Sequence, residues 1–297
     1  MMVRLAAALL VLVAAGCAAS MPAAPGPAGA AEGPHRQQTH MIPLSPEAGD
    51  GGTLLLGRVC RPDGDAPARV VVIAHGSPPI ASDRPRTQLT PCDSEAVRWF
   101  TARGYLVALS LRRGYGGTGG GYLESSADCS IDAYERAARV SAEDVAATAA
   151  YALALPYARH DGAVIVGQSA GGWATLGLNA GPHPDVIALV SMAGGRGGRV
   201  DNIPNRNCKP ENLVAAAARL GRTATTPTLW VFTENDTFFA PRIATGMHQA
   251  FTTAGGKAEL HALPAFGEDG HRLFFARGGS RIWGPLIERY LQQQGAT

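Results

Sequence analysis

From Gly52 onward, short and nearly unbroken apolar runs alternate with longer stretches of helical character. The runs predict strands at 53–59, 70–74, 106–109, 163–166, 187–191, 228–232 and 258–263. Most are continuous rather than alternating, as expected of strands covered by helices on both faces. Between them, residues 94–102 predict a helix that stops at Arg103-Gly104. Residues 141–155 predict a second, Ala-rich helix with Glu143 and Asp144 in its first turn and Pro156 beyond its end. A third, 211–220, is framed by Pro210 and Gly221, the asymmetry of a helix with proline at its start and glycine past its end. This alternation predicts an α/β fold with a doubly wound, mostly parallel sheet. No internal repeat and no second-domain boundary interrupts it.

The amino terminus follows another pattern. Met1 to Arg4 gives a short basic start, and the apolar stretch 5–15 is too short to cross a bilayer. Ala14-Ala15-Gly16 then leads to Cys17, so 1–17 reads as an export signal. The placement of Cys17 resembles a bacterial lipobox, in which the cysteine is lipidated, with Ala14 where a larger aliphatic residue is usual. Ordinary cleavage after Ala19 or Ala24 is the alternative. Residues 18–40, which open in Ala, Pro and Gly, read as a disordered tether before a catalytic domain at 41–297. The expected location is periplasmic and membrane-anchored, or else secreted.

The chain is 297 residues long and 46% hydrophobic, with a net charge of +2 and no dense Lys/Arg run, so it has no nucleic-acid footprint. Export permits disulfides. Besides Cys17 there are Cys60, Cys92, Cys129 and Cys208, which allow three connectivities. Cys60 with Cys92 and Cys129 with Cys208 is the preferred pairing, the second joining two loops expected to rise over the site. Four free thiols are the alternative. The His and Cys spacings fit no zinc site, and no cofactor motif is present.

The chemistry centres on Gly167-Gln168-Ser169-Ala170-Gly171, preceded by an apolar strand and followed by the opening of a helix. That is the context of a G-x-S-x-G nucleophile elbow, where small residues let a strained serine stand clear of its neighbours. A serine hydroxyl needs a base to take its proton and a third group to orient that base. Asp236 follows the strand 228–232, and His271 follows the strand 258–263, giving the chain order Ser, acid, His. Glu234 is the rival acid, and Asp269 reads as a local hydrogen-bonding partner of the base. Of the other histidines, His35 and His40 fall in the leader, His160 and His183 in loops, His248 in a helix and His261 in a strand. Two backbone N–H groups are expected to hold an oxyanion: that of Ala170, and that of Ser77 in His75-Gly76-Ser77 after the strand 70–74.

These residues resemble the α/β-hydrolase superfamily over about 53–290. His75-Gly76-Ser77, the serine pentapeptide, Asp236 and His271 carry the resemblance, and the glycine-rich run from Arg112 to Gly120 adds to it. The resemblance implies the eight-stranded type of sheet with helices on both faces. More narrowly the chain looks like exported bacterial dienelactone-hydrolase-like members, but serine stands at 169 where those enzymes use cysteine, so lactone specificity is not implied.

The implied activity is a serine carboxylesterase acting on small acyl or aryl esters, without cofactor or metal. A peptidase or an acyltransferase on the same triad is the alternative, as is a non-catalytic lipid-anchored binding protein. Typical prolyl peptidases carry a propeller or a larger cap, for which the sequence has no room. Two insertions, 114–130 and 193–226, are expected to shape the pocket. Tyr115, Tyr122, Phe238 and Phe239 are candidates to line it. Arg196, Arg199 and Arg206 suggest an anionic substrate or simply a solvated cationic loop.

Overall fold

The computed structural model describes residues 28–44, 52–183 and 185–297. Among the described residues eight strands form one sheet: β1 Gln38–Pro43, β2 Leu54–Cys60, β3 Ala68–Ala74, β4 Tyr105–Ser110, β5 Ala158–Gln168, β6 Val186–Met192, β7 Thr228–Thr233 and β8 Ala258–Leu263. Their order is β1-β2-β4-β3-β5-β6-β7-β8. β2 runs antiparallel to both β1 and β4, and every other pairing is parallel. Among the described residues six α-helices accompany the strands: α1 Glu95–Thr101, α2 Ile131–Leu153, α3 Ala170–Asn179, α4 Pro210–Gly221, α5 Pro241–Thr253 and α6 Ser280–Gln293. This is the α/β-hydrolase fold.

The continuous apolar strands are explained by a core on each face. Successive side chains of a strand point to opposite sides. Thus Val71, Ile73, Val107, Leu109, Val164 and Val166 pack with Trp99, Phe100, Trp283 and Ile287 of α1 and α6. Val70, Val72, Leu106, Ala163 and Ile165 pack instead against Val145, Ala149, Ala174 and Leu178 of α2 and α3. α6, which the sequence pattern does not predict, is seated on an aromatic cluster in which Trp283 meets Trp99 edge-on at 5.0 Å. A Cβ at Gly284 would fall 2.5 Å from the Trp99 Nε1, so this approach requires glycine.

Three expectations are corrected. The signal at 1–17, Cys17 and residues 18–27 of the expected tether lie outside the described residues. Residues 28–40, however, are bound to the domain: β1 starts at Gln38, Glu32 bridges Gln37, and the Gly29 N–H donates to the Thr39 carbonyl at 2.8 Å. The long helix begins at Ile131 rather than 141. Ser130 is its N-cap, accepting from the Ala133 N–H at 3.1 Å, while the Ser141 hydroxyl turns inward to the Ala137 carbonyl at 2.6 Å. His160 lies within β5, not in a loop.

The cysteines pair as preferred, Cys60 with Cys92 and Cys129 with Cys208. The first bridge ties the end of β2 to the segment before α1. The second joins the two insertions.

Candidate active site

The site is assembled at the carboxyl ends of β3, β5, β7 and β8. Ser169 stands between β5 and α3 with φ 55° and ψ −118°, a conformation that a residue with a side chain adopts only when its surroundings impose it. The surroundings do so. A Cβ at Gly167 would lie 2.0 Å from the Gly171 carbonyl oxygen, and one at Gly171 would lie 2.1 Å from that of Ala74. The strand, the turn and the helix can approach this closely only with glycine at both positions. The Ser169 N–H donates to the Met192 carbonyl at 2.9 Å, and its own carbonyl accepts from Trp173 and Gly195.

Asp236 is 2% exposed, whereas its rival Glu234 is exposed to solvent. One oxygen of Asp236 accepts the N–H groups of Phe238 and Phe239 at 2.8 and 2.9 Å. His271 Nδ1 donates to the same carboxylate, 3.1 Å from Oδ1 and 3.0 Å from Oδ2. In the neutral ring this bond keeps the proton on Nδ1 and leaves Nε2 able to accept one. Phe238 stacks on the imidazole at 4.0 Å, so it both packs the Asp236 loop and restricts the ring. The Asp269 carboxylate caps the short helical turn carrying His271, accepting its N–H at 3.1 Å and the Thr237 hydroxyl at 2.8 Å. That is the local role expected of it. Gln168, which the sequence does not single out, donates Nε2 to the His271 carbonyl at 3.0 Å and so ties the residue before Ser169 to the imidazole segment. The expected hydrogen bond between Ser169 and His271 is not formed in this arrangement.

Ser77 and Ala170 line one cavity together with Ser169. The Gly76-Ser77 segment is held from beneath by His75. Its Nδ1–H donates to the Gly76 carbonyl at 2.6 Å, and its Nε2 accepts the Arg112 N–H at 3.1 Å. The second of these bonds requires the neutral ring. Burial first, and the Arg112 charge second, hold the His75 pKa well below its ordinary value of 6.5. The unfolded chain therefore binds a proton that the folded one refuses as pH falls below 6.5. The expected consequence is that unfolding free energy, fully supported above that pH, declines below it, and that His75→Gln flattens the decline. Urea midpoints at pH 7.5 and 5.0 measure this; equal slopes in the two proteins would refute it.

Arg112 Nη1 also donates to the His75 carbonyl at 2.6 Å, and its Nε to Glu124 at 2.7 Å. Arg196 pairs with the other oxygen of Glu124 and donates to the Tyr122 hydroxyl at 3.2 Å. A buried chain from Arg196 through Glu124 and Arg112 to His75 thus connects the second insertion to the Ser77 loop.

The cavity beside Ser169 encloses about 280 Å³, with Tyr122, Phe238, Phe239, Arg84, Arg196 and the Cys129–Cys208 bridge in its walls. Tyr115 is not among them. It is fully buried and packs edge-on against His75 at 4.8 Å and Tyr122 at 5.7 Å. Arg206 also falls outside, in an exposed pair with Asp201 at 2.7 Å, as a solvated loop residue would. A larger cleft of about 770 Å³ opens on the His271 side, bordered by Ile80, Arg272 and Phe275 and sharing Pro79, Arg199 and Phe238 with the cavity. Among the described residues no group of His, Cys, Asp and Glu could hold a metal ion.

Residues 92–194 match the prolyl oligopeptidase family. No curated protein matches the chain in sequence. Among solved structures, an acylaminoacyl peptidase from Pyrococcus horikoshii aligns with 86% of this chain at 16% identity and a TM-score of 0.60. The alignment takes in only 41% of that longer protein. Est1E from Butyrivibrio proteoclasticus with ferulic acid bound aligns with 83% of this chain and 97% of its own, at 15% identity and a TM-score of 0.54. A Pyrococcus furiosus esterase aligns over 87% and 92%, at 14% identity and the same TM-score of 0.54. These likenesses are likenesses of fold. They place the chain in the α/β-hydrolase fold, and the segment matched to the prolyl oligopeptidase family contains the strained Ser169 of that fold.

Proposed function

We propose that the chain is an exported carboxylesterase for esters of small acyl groups. The observation that carries this reading is the small cavity of about 280 Å³ directly beside Ser169 and Ala170, walled by Tyr122, Phe238, Phe239 and a disulfide. The acyl group occupies it while the alcohol portion leaves through the larger cleft beside His271. Ser169 attacks the ester carbonyl as His271 Nε2 takes its proton. The N–H groups of Ala170 and Ser77 hold the oxyanion, and Asp236 keeps the imidazole oriented and stabilises its charge. His271 returns the proton to the leaving alkoxide. Water then repeats the sequence on the acyl-enzyme and frees the acid.

Residues 1–17 and Cys17 support export and lipid anchoring through the signal pattern, and two disulfides agree with an oxidising compartment. A second reading keeps the same machinery and changes the bond to the amide of a short acylated peptide. The match of 92–194 to the prolyl oligopeptidase family favours it.

The test is a p-nitrophenyl ester series from acetate to decanoate, with the reacting serine located by fluorophosphonate labelling and peptide mapping. Turnover is expected to peak at short acyl chains, with the label on Ser169. Cleavage of acyl-amino-acid amides in preference to every ester would establish the peptidase reading. No turnover and no label would exclude both.

A further inference from the structure

We infer that the acyl cavity takes a substrate carrying a carboxylate, and that Arg84 is the residue that binds it. The inference rests on the ester reading above and names its substrate class.

Arg84 lies in the short helical segment Ala81–Arg86, which follows the Ser77 loop, and it lines the same cavity as Ser169. Its guanidinium carbon sits over the Tyr122 ring, 3.7 Å from the ring centre. A cation–π contact of that kind holds the guanidinium in place without using its N–H groups. Those groups are unused. Among the described residues no carboxylate pairs with Arg84, and its Nε is buried without a hydrogen-bond partner. The neighbouring Asp83 is engaged by Arg86.

The rest of the wall does not supply the missing charge. Asp201, the carboxylate among the lining residues, is solvent-exposed and paired with Arg206, and the buried Glu124 outside that lining is already shared by Arg112 and Arg196. Two guanidinium groups on one carboxylate leave an excess positive charge, to which Arg84 adds another. Arg199, also in the wall, lies 3.7 Å from Asp269 Oδ2, so its charge is met there. Its Nε, like that of Arg196, is buried without a partner. A sphere of 280 Å³ is about 8 Å across, comparable with the Debye length of ~8 Å at physiological salt, so any occupant feels all of these cations. Buried donors and charges are costly unless satisfied, and a planar carboxylate satisfies a guanidinium edge with two parallel bonds. The cavity therefore lacks one component, an anion, while its walls already supply the apolar contacts.

The matched pair p-nitrophenyl valerate and p-nitrophenyl hydrogen glutarate tests this, since the two differ by a terminal methyl against a carboxylate. The glutarate ester is expected to have a kcat/KM about tenfold or more higher, mostly through KM, falling as salt is raised. In Arg84→Met the glutarate-to-valerate ratio should collapse toward one, and Arg84→Lys should restore part of it. A wild-type ratio at or below one, or one unchanged in Arg84→Met, would overturn the inference and leave the esterase standing. Calorimetric binding of glutarate to Ser169→Ala separates the other failure. Binding that is lost on adding Arg84→Met, without turnover of any ester, would keep the anion site and discard the ester reading. Absence of binding would discard the anion site.

Discussion

Ser169→Ala is expected to lower ester turnover by roughly 10⁴- to 10⁶-fold, and Asp236→Asn by about 10⁴-fold, with the fold intact in both. The two losses have different causes. Removing the Ser169 hydroxyl removes the nucleophile, and what remains is binding and the oxyanion donors acting on water. Asn at 236 keeps the shape of the side chain and one oxygen. If that oxygen stays on the Phe238 and Phe239 N–H groups, the amide NH₂ faces His271 Nδ1. An NH₂ there donates where the carboxylate accepts, so the imidazole is driven to carry its proton on Nε2, the nitrogen that must be empty to act as base. Fluorophosphonate labelling of Ser169 should accordingly slow in Asp236→Asn and disappear in Ser169→Ala. Steady-state kcat and thermal midpoints, measured together, check both statements. Turnover within tenfold of wild type in either folded variant would mean that another residue is the nucleophile or that Asp236 does not set the tautomer.

The parts of this site that sequence revealed share a physical origin. Backbone crowding at the elbow leaves a local mark, because only glycine fits at 167 and 171, and the parallel core strands leave another because both their faces are apolar. Asp236 and His271 are legible through their slots after β7 and β8. What was missed is held by long-range partners. β1 has a half-buried edge-strand pattern with polar Gln38 and Thr39, and it follows a stretch poor in order-promoting residues. The first ten residues of α2 are marked mainly by their cap, Ser130, since their apolar face is built from alanines and Tyr134. Arg84 has no local signature at all. That its charge is unmet while those of Arg112 and Arg113 are met is a fact of three dimensions, decided by Glu124, Glu143 and Asp144 reaching across from other segments. For the same reason three arginines in the second insertion could not be sorted from sequence, and the structure divides them between the cavity wall and an exposed pair.

Opening the Cys129–Cys208 bridge is expected to cost both stability and activity, and in unequal measure. The bridge closes 79 residues of chain, so the loop-entropy argument gives about 4.5 kcal/mol for its removal. At ~2–4 °C per kcal/mol that is a fall of roughly 9–18 °C in Tm. Removal of the Cys60–Cys92 bridge, which closes 32 residues, should cost somewhat less, about 3.7 kcal/mol. Only the first bridge bears on the site. Both of its cysteines line the cavity beside Ser169, and the loop between Ala193 and Lys209 that it anchors holds six non-glycine residues at positive φ: Ala193, Arg199, Asp201, Asn202, Asn205 and Lys209. Each such residue is strained by an amount on the order of 1 kcal/mol or more, which the surrounding contacts must sustain. With Cys129 and Cys208 replaced by serine, the loop can relax that strain at the expense of the cavity wall, including Arg196 and Arg199. The expected result is a KM raised by about tenfold or more at temperatures where the protein is still folded, with much less change in kcat, since Ser169, Asp236 and His271 stand on β5, β7 and the segment after β8. The corresponding Cys60/Cys92 variant should lose stability with KM nearly unchanged. Equal KM values in the two variants would show that the insertion loop keeps its shape without the bridge, and that the strain is sustained by the Glu124 network and the loop's own hydrogen bonds.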